Sequence, residues 1–333
     1  MPRWTFGILL VAAAFLALGG YKMFMTSSTR AEAPAFTATA AEGFAADRAP
    51  AEPVRFDAKR AMSYLEQICK IGPRMSATEG MQKQQEMVKK HFEALGTRVQ
   101  FQKFTARQAS RGQEVEMANL IISWYPDRKR RVILCSHYDT RPIADQEENI
   151  RKWHEPFVSA NDGGSGVALL MELGNHMKAL KTEVGVDFVF FDGEEYIFDK
   201  DRDKYFFGSE YFAKAYENDR PDYQYKAAVL LDMIAGKNPR FPVEQHSLTA
   251  ARRLVEDLWT IAAELKCDAF LNRMGEDVLD DHIALNHAGI PAVDLIDFSY
   301  PHWHRLSDVP ANCSTEGMTQ VARVLTAWLE RLK

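Results

Sequence analysis

Short, almost wholly apolar runs alternate with helical stretches along most of this chain, and that alternation leaves few folds open to it. The runs are Val115–Trp124 (the most mixed), Arg131–Cys135, Val186–Phe191, Ala227–Leu231 and Ile290–Ile296. Helical patterns follow at Gly166–Leu180, Gly208–Tyr216, Leu248–Leu265, His282–Ala288 and Thr315–Leu332. Two more precede the first run: Ala61, Tyr64, Leu65, Ile68 and Ile71 recur at helical spacing, and Met81–Leu95 repeats it before Gly96 closes the segment. A strand that is apolar on both sides must be covered on both, and strands linked through helices run parallel. The expectation is one α/β domain over residues 55–333, three layers deep, with a central mixed, mostly parallel sheet.

Residues 1–54 have a different character. Trp4–Tyr21 is an uncharged run of 18 residues between Arg3 and Lys22, which reads as a signal peptide or an N-terminal membrane anchor over residues 1–25. Ala17-Leu18-Gly19 is a poor cleavage site, so the anchor is the preferred reading. Residues 26–54 are rich in Ala, Pro and Glu and lack the bulk to pack, as a flexible tether does. The expected location is therefore extracytoplasmic, either membrane-anchored or secreted to the periplasm. The 41 basic and 46 acidic residues give a net charge of −5, which offers nothing to a nucleic acid. Cys69, Cys135, Cys267 and Cys313 form no C-x-x-C pair, so a thiolate zinc site is not expected. An oxidising compartment would permit one disulfide, with Cys69–Cys313 as the candidate; four free buried thiols is the equal alternative.

Metal-ligand side chains cluster where the apolar runs end, which is where open α/β sheets bind ligands. Arg131–Ser136 runs into His137-Tyr-Asp139, and Val186–Gly193 runs into Glu194-Glu195. Val229–Leu231 runs into Asp232, and Ala292–Ile296 is followed after a short loop by His304. Asp162 opens a helix in Asn161-Asp-Gly-Gly-Ser-Gly166, where glycines admit close backbone approach. Singly, each has a plain explanation: Asp162 as a helix cap, Asp232 as a turn residue, His304 as a surface histidine. Adjacent Glu194 and Glu195 are harder to explain that way, because they repel unless a cation or a shared proton relieves them. Carboxylates and imidazoles without thiolate suit a catalytic zinc with an open position. Two carboxylates and one imidazole leave such a position, and the second glutamate of the pair can then stay free as an acid–base group.

In order along the chain, Ser136-His-Tyr-Asp-Thr140, Asn161–Gly166, Phe190-Phe-Asp-Gly-Glu-Glu195, Leu230-Leu-Asp-Met233, Asp280-Asp-His282 and Trp303-His304 resemble the co-catalytic zinc aminopeptidases and their relatives, the glutaminyl cyclases. The resemblance covers Ile71 to the C-terminus. In the peptidases the positions of His137, Asp162, Asp232, Glu195 and His304 hold two zincs. In the cyclases only Asp162, Glu195 and His304 are occupied, and His137 and Asp232 fall in a hydrogen-bond network. The Phe190-Phe-Asp-Gly lead-in, the extra acid Asp280 and the aromatic Trp303 resemble the cyclases, whereas Asn161-Asp-Gly-Gly-Ser-Gly is closer to the peptidases.

The resemblance implies an enzyme with one zinc, a second remaining open, that acts on peptide or protein N-termini. The expected reaction is cyclisation of an N-terminal glutamine to pyroglutamate with release of ammonia. Metal-dependent aminopeptidase action is the alternative, and a non-catalytic ectodomain is disfavoured because no ligand type is missing. Glu194, Asp280 and Asp232 are the expected catalytic residues, with Trp303 and Tyr300 against the substrate. His154, His176, His246, His287 and His302 show no partner pattern. On the export reading, a reporter active only outside the cytoplasm, fused after Pro53, is active; a silent but folded fusion would overturn it.

Overall fold

Apolar residues at consecutive strand positions here serve two cores at once. The structure, a computed structural model, describes residues 56–333; the expected leader or anchor and the tether lie outside the described residues. The described chain runs α1 (Ala58–Lys70), α2 (Glu79–Ala94), β1 (Val99–Arg107), β2 (Glu114–Trp124), β3 (Arg130–His137), α3 (Gly164–Gly174), β4 (Gly185–Phe191), α4 (Phe207–Asp219), β5 (Gln224–Asp232), β6 (Phe241–Val243), α5 (Gln245–Ala250), α6 (Arg252–Glu264), β7 (Phe270–Met274), α7 (His282–His287), β8 (Ala292–Ile296) and α8 (Thr315–Arg331). Six strands form the central sheet in the order β1-β2-β4-β3-β5-β8. β4, β3, β5 and β8 are mutually parallel, while β1 and β2 add antiparallel pairs at one side.

Alternate residues of each inner strand point to opposite faces. Val132, Leu134, Phe188, Phe190, Val229 and Leu231 join the larger core, which contains residues of α1, α2, α3, α6 and α8. Ile133, Cys135, Val189, Phe191, Ala228 and Leu230 join a second core with Phe212 of α4 and Leu285 of α7. The three-layer arrangement follows from this division.

Three strands escape the sequence pattern. β1 is an edge strand carrying exposed Gln100, Lys103, Thr105 and Arg107 between buried Val99, Phe104 and Ala106, so no apolar run marks it. β6 and β7 make a separate two-stranded parallel sheet too short to signal itself. The expected helix over Leu248–Leu265 is broken at Ala251 (φ −132°), giving α5 and α6. α5 begins earlier than expected because the Glu244 carboxylate accepts from the N–H groups of His246 and Ser247.

The Cys69–Cys313 bridge is not formed: all four cysteines are buried free thiols. Each packs as a small apolar residue, and Cys313 Sγ lies 3.7 Å from the carbonyl of Val309. Among the described residues no helix is long and apolar enough to cross a membrane.

The first turn of α3 lies against the ends of β3 and β5. A Cβ on Gly166 would stand 2.5 Å from the carbonyl oxygen of Leu231 and would collide with Ser136 Oγ. Gly166→Ala is therefore expected to destabilise the fold by about 1–3 kcal/mol, the usual cost of overpacking a tight core. Thermal unfolding checks this, and an unchanged melting temperature would contradict so close an approach.

Candidate metal centre and active site

Four parallel strands deliver their carboxyl ends to one edge of the sheet, and the polar residues of the site enter there. His137 is the last residue of β3 and Asp232 the last of β5. Glu194 and Glu195 follow β4 after Gly193 (φ +72°), and His304 (φ +52°) stands in the loop after β8. Asp162 precedes α3 across Gly163, whose φ of +75° leaves it left-handed. A Cβ on Gly163 would meet the His137 ring at 2.8 Å and the Asp139 carbonyl oxygen at 2.9 Å, so only glycine lets Asp162 come this close to β3.

These turns place Asp162 between two imidazoles. Its Oδ2 lies 3.6 Å from His304 Nε2, and its Oδ1 lies 3.1 Å from His137 Nε2. His304 Nε2 is also 2.6 Å from Glu195 Oε1, and His137 Nε2 is 3.4 Å from Asp232 Oδ1. Three buried ligand groups result: Asp162–Glu195–His304 and His137–Asp162–Asp232, which share one carboxylate, and His137–Glu194–Glu195. Glu194 enters only the last, with its Oε2 3.6 Å from His137 Nδ1.

The side chains fit a cation better than they fit one another. Asp162 Oδ2, Glu195 Oε2, Asp232 Oδ1 and both His137 nitrogens are buried without a hydrogen-bond partner. Polar atoms buried in that state are costly unless charge compensates them. His304 makes the point sharply. Its Nδ1 is 2.8 Å from Asp145 Oδ1, so that nitrogen carries the proton and donates. Its Nε2 lies 2.6 Å from Glu195 Oε1. Burial acts against a second proton there, but Glu195 and Asp145 outweigh it and raise His304 to about 9. That proton, or a divalent cation in its place, meets the glutamate charge. Without thiolates, the donor set is that of a catalytic zinc.

Burial dominates the electrostatics of the carboxylates. It raises Asp162 to about 6, helped by the charge of Glu195. Burial, then the Glu195 charge, pushes Glu194 well above the ordinary glutamate range. Asp280 is raised the same way, by burial and then by Asp232, and Asp281 rises to about 7 mainly through burial. Glu195 goes the other way: burial acts to raise it, but His304 and Arg141 outweigh that and hold it at about 2. Asp280 thus lies within electrostatic reach of both Glu194 and Asp232.

A second layer of polar residues holds the first. Asp139 accepts from the N–H groups of Glu194 (3.2 Å) and Glu195 (3.0 Å), fixing the turn after β4. Asp308 accepts from the N–H groups of Asn161 (2.9 Å) and Asp162 (3.2 Å). Tyr300, expected against the substrate, is 5% exposed and donates its hydroxyl to Asp308 Oδ1 at 2.8 Å. It braces the Asp162 turn from behind. Trp303 lies with its ring 4.0 Å from that of His304 and 4.9 Å from that of Phe298, which is 39% exposed. Phe298 and Trp303 form one aromatic wall, and the first is not evident from sequence because no pattern marks it. Asp145, Arg141 and Asp308 also escape sequence reading, since isolated loop residues carry no periodicity.

Three histidines read as partnerless have partners. His176 Nε2 lies 2.8 Å from Glu172 Oε1, His302 Nδ1 lies 2.8 Å from Ser307 Oγ, and His246 faces Asp277. Glu172 stands four residues before His176, at helical spacing, and Ser307 lies in the same loop as His302; only Asp277 is distant along the chain from its histidine.

Comparison with known proteins follows the same lines. Residues 119–329 match peptidase family M28. A glutaminyl-peptide cyclotransferase of Bothrops jararaca is 25% identical over 245 residues, and the match spans 64% of this chain and 64% of that protein. The crystal structure of Fimbriiglobus ruber glutaminyl cyclase superposes with a TM-score of 0.82 at 51% identity, over 86% of this chain and all of that one (100%). A leucine aminopeptidase precursor from Bacteroides thetaiotaomicron superposes with a TM-score of 0.79 at 28% identity, over 85% of this chain and 99% of that one.

Alanine at Asp162, Glu195 or His304 is expected to remove most bound divalent metal while the fold persists. Elemental analysis after dialysis checks this, and full metal content in the Glu195→Ala protein would remove that residue from the ligand set.

Proposed function

The chain belongs to peptidase family M28, and from that premise we propose that it is a zinc-dependent glutaminyl-peptide cyclotransferase. The observation that carries this reading is its likeness to a glutaminyl cyclase at 51% identity over 86% of its length. The substrate is a peptide or protein whose first residue is glutamine. The residues that fit the metal are Asp162, Glu195 and His304, and zinc bound there would act as a Lewis acid on the side-chain amide carbonyl.

The chain's own residues perform the remaining steps. The α-amine nitrogen bonds to the side-chain amide carbon, and the bond from that carbon to the amide nitrogen breaks. Glu194 is buried beside the ligands and shares no ligand group with Asp162 or His304, and its raised proton affinity suits exchange with an amine. It accepts a proton from the attacking nitrogen and delivers one to the departing ammonia. Asp280 and Asp232 supply the neighbouring negative charge that helps keep the proton within the carboxylate cluster. The Phe298–Trp303 wall offers a flat apolar surface to a five-membered ring and excludes water from the reacting atoms.

Aminopeptidase action is the second reading, favoured by the intact His137–Asp162–Asp232 group, which could hold a second ion. We read residues 1–25 and 26–54 as anchor or leader and tether on sequence grounds, placing residues 55–333 outside the cytoplasm as the catalytic domain.

Two experiments separate the enzyme readings. Purified protein incubated with a Gln-initiated peptide should release ammonia and leave a peptide lighter by one ammonia. Release of free glutamine would favour the peptidase. Glu194→Gln should retain metal and lose about two to four orders of magnitude in turnover. Asp280→Asn should also be severe, while His137→Ala leaves one metal per chain. Two metals in the parent protein, with normal turnover in Asp280→Asn, would overturn the cyclase reading.

A further inference from the structure

Two of the three expected ligands are joined behind the site by a buried charge circuit. Arg141 and Asp145 lie in the loop after β3, four residues apart, with side chains 1% and 10% exposed. Arg141 Nη2 donates to Asp145 Oδ2 at 2.8 Å and to the Tyr205 hydroxyl at 3.0 Å. Its Nη1 reaches Glu195 Oε1 at 3.4 Å. Asp145 Oδ1 accepts from His304 Nδ1 at 2.8 Å, and His304 Nε2 returns to Glu195 Oε1 at 2.6 Å. The circuit Glu195–Arg141–Asp145–His304 therefore closes on itself, and it crosses the loops after three strands, β4, β3 and β8.

The consequences are geometric. A histidine ligand needs a fixed tautomer and ring angle, and an outer carboxylate supplies both. A lone aspartate on a loop would fix neither, because it could rotate. Here the guanidinium holds the second oxygen of Asp145, so the first has one orientation. The N–H of Gln146, next in the chain, donates to the carbonyl of His304 at 3.2 Å, and the Glu147 carboxylate accepts from the N–H of Leu306 at 2.9 Å. The 141–147 loop is thus bound to the His304 loop at the imidazole, at the His304 carbonyl and again at Leu306. Asp162 is held by a separate device, its own N–H on Asp308.

We propose that Arg141 and Asp145 are a positioning pair that pre-sets Glu195 and His304 for the metal and so governs how tightly zinc is held. Neither residue touches substrate. The proposal rests on the zinc reading of the Asp162–Glu195–His304 group, and Arg141 acts on Asp145 as well as directly on Glu195: removing either member frees the same imidazole, so the two losses overlap.

Zinc affinity, measured by competition with a chromophoric chelator, tests this on Asp145→Asn, Arg141→Met and the double variant. Each single change is expected to weaken zinc binding about 10- to 100-fold, the usual effect of losing an outer partner of a ligand. The double variant should be weakened little more than the worse single one. The visible spectrum of the cobalt-substituted protein should change in Asp145→Asn, reporting altered ligand geometry, which a merely structural role would not produce. Asp145→Glu should recover part of the affinity, and it serves in place of the Asn variant should that fail to fold. Parent affinity and an unaltered cobalt spectrum in a folded Asp145 variant would overturn the proposal, as would losses that multiply. If the parent protein itself binds no zinc, the reading of the site fails rather than the pairing.

Discussion

Mutual repulsion among buried carboxylates is the constraint around which this site is organised. Asp162, Glu194, Glu195, Asp232, Asp280 and Asp281 are all buried at one edge of the sheet. Burial penalises each charge, and each charge penalises its neighbours, which is why four of them are raised in proton affinity. A cation held by Asp162, Glu195 and His304 would relieve the repulsion between those two carboxylates. Protonation would relieve it at Glu194 and Asp280, both raised in proton affinity. On the proposed reading, metal binding and acid–base chemistry are two answers to one electrostatic problem.

Holding such a cluster together demands rigidity elsewhere, and the scaffold supplies it through backbone hydrogen bonds. Carboxylates that do not face the metal, Asp139 and Asp308, accept from the N–H groups of residues that do. Each thus stabilises a turn and adds negative charge behind it. The glycines at 163 and 166 do the complementary work of removing bulk, so that the start of α3 can lie against β3 and β5. The Arg141–Asp145 pair links the remaining two ligands. Every element that carries a ligand is therefore tied to another that does, and a shift in one would be resisted by several.

The inner strands were legible from sequence because burial on both faces makes them apolar at most positions, a signal that needs no partner to be recognised. β1 was not, because an edge strand keeps one face polar and reads as a solvent-exposed segment. The break at Ala251 was hidden for a related reason. Apolar spacing continues across it, and Ala251, which opens α6, offers no side-chain cap to show where one helix stops and the next starts. Of the two readings left open for the cysteines, four free buried thiols is the one the structure shows, with Cys69 and Cys313 in the same apolar core.

Which ligand-type side chains gather at this edge was legible in the sequence itself, since such residues at the ends of consecutive apolar runs must converge wherever those runs pair in parallel. Which atoms meet was decided only by the tertiary structure. That Asp162 divides its two oxygens between His304 and His137, that Tyr300 turns its hydroxyl inward to Asp308, and that Arg141 closes a circuit through Asp145 all depend on loop conformations. Loops carry no repeating period, and their side chains find partners far away in the chain. Periodicity determines the layers, and only the packed loops determine the chemistry at their edge.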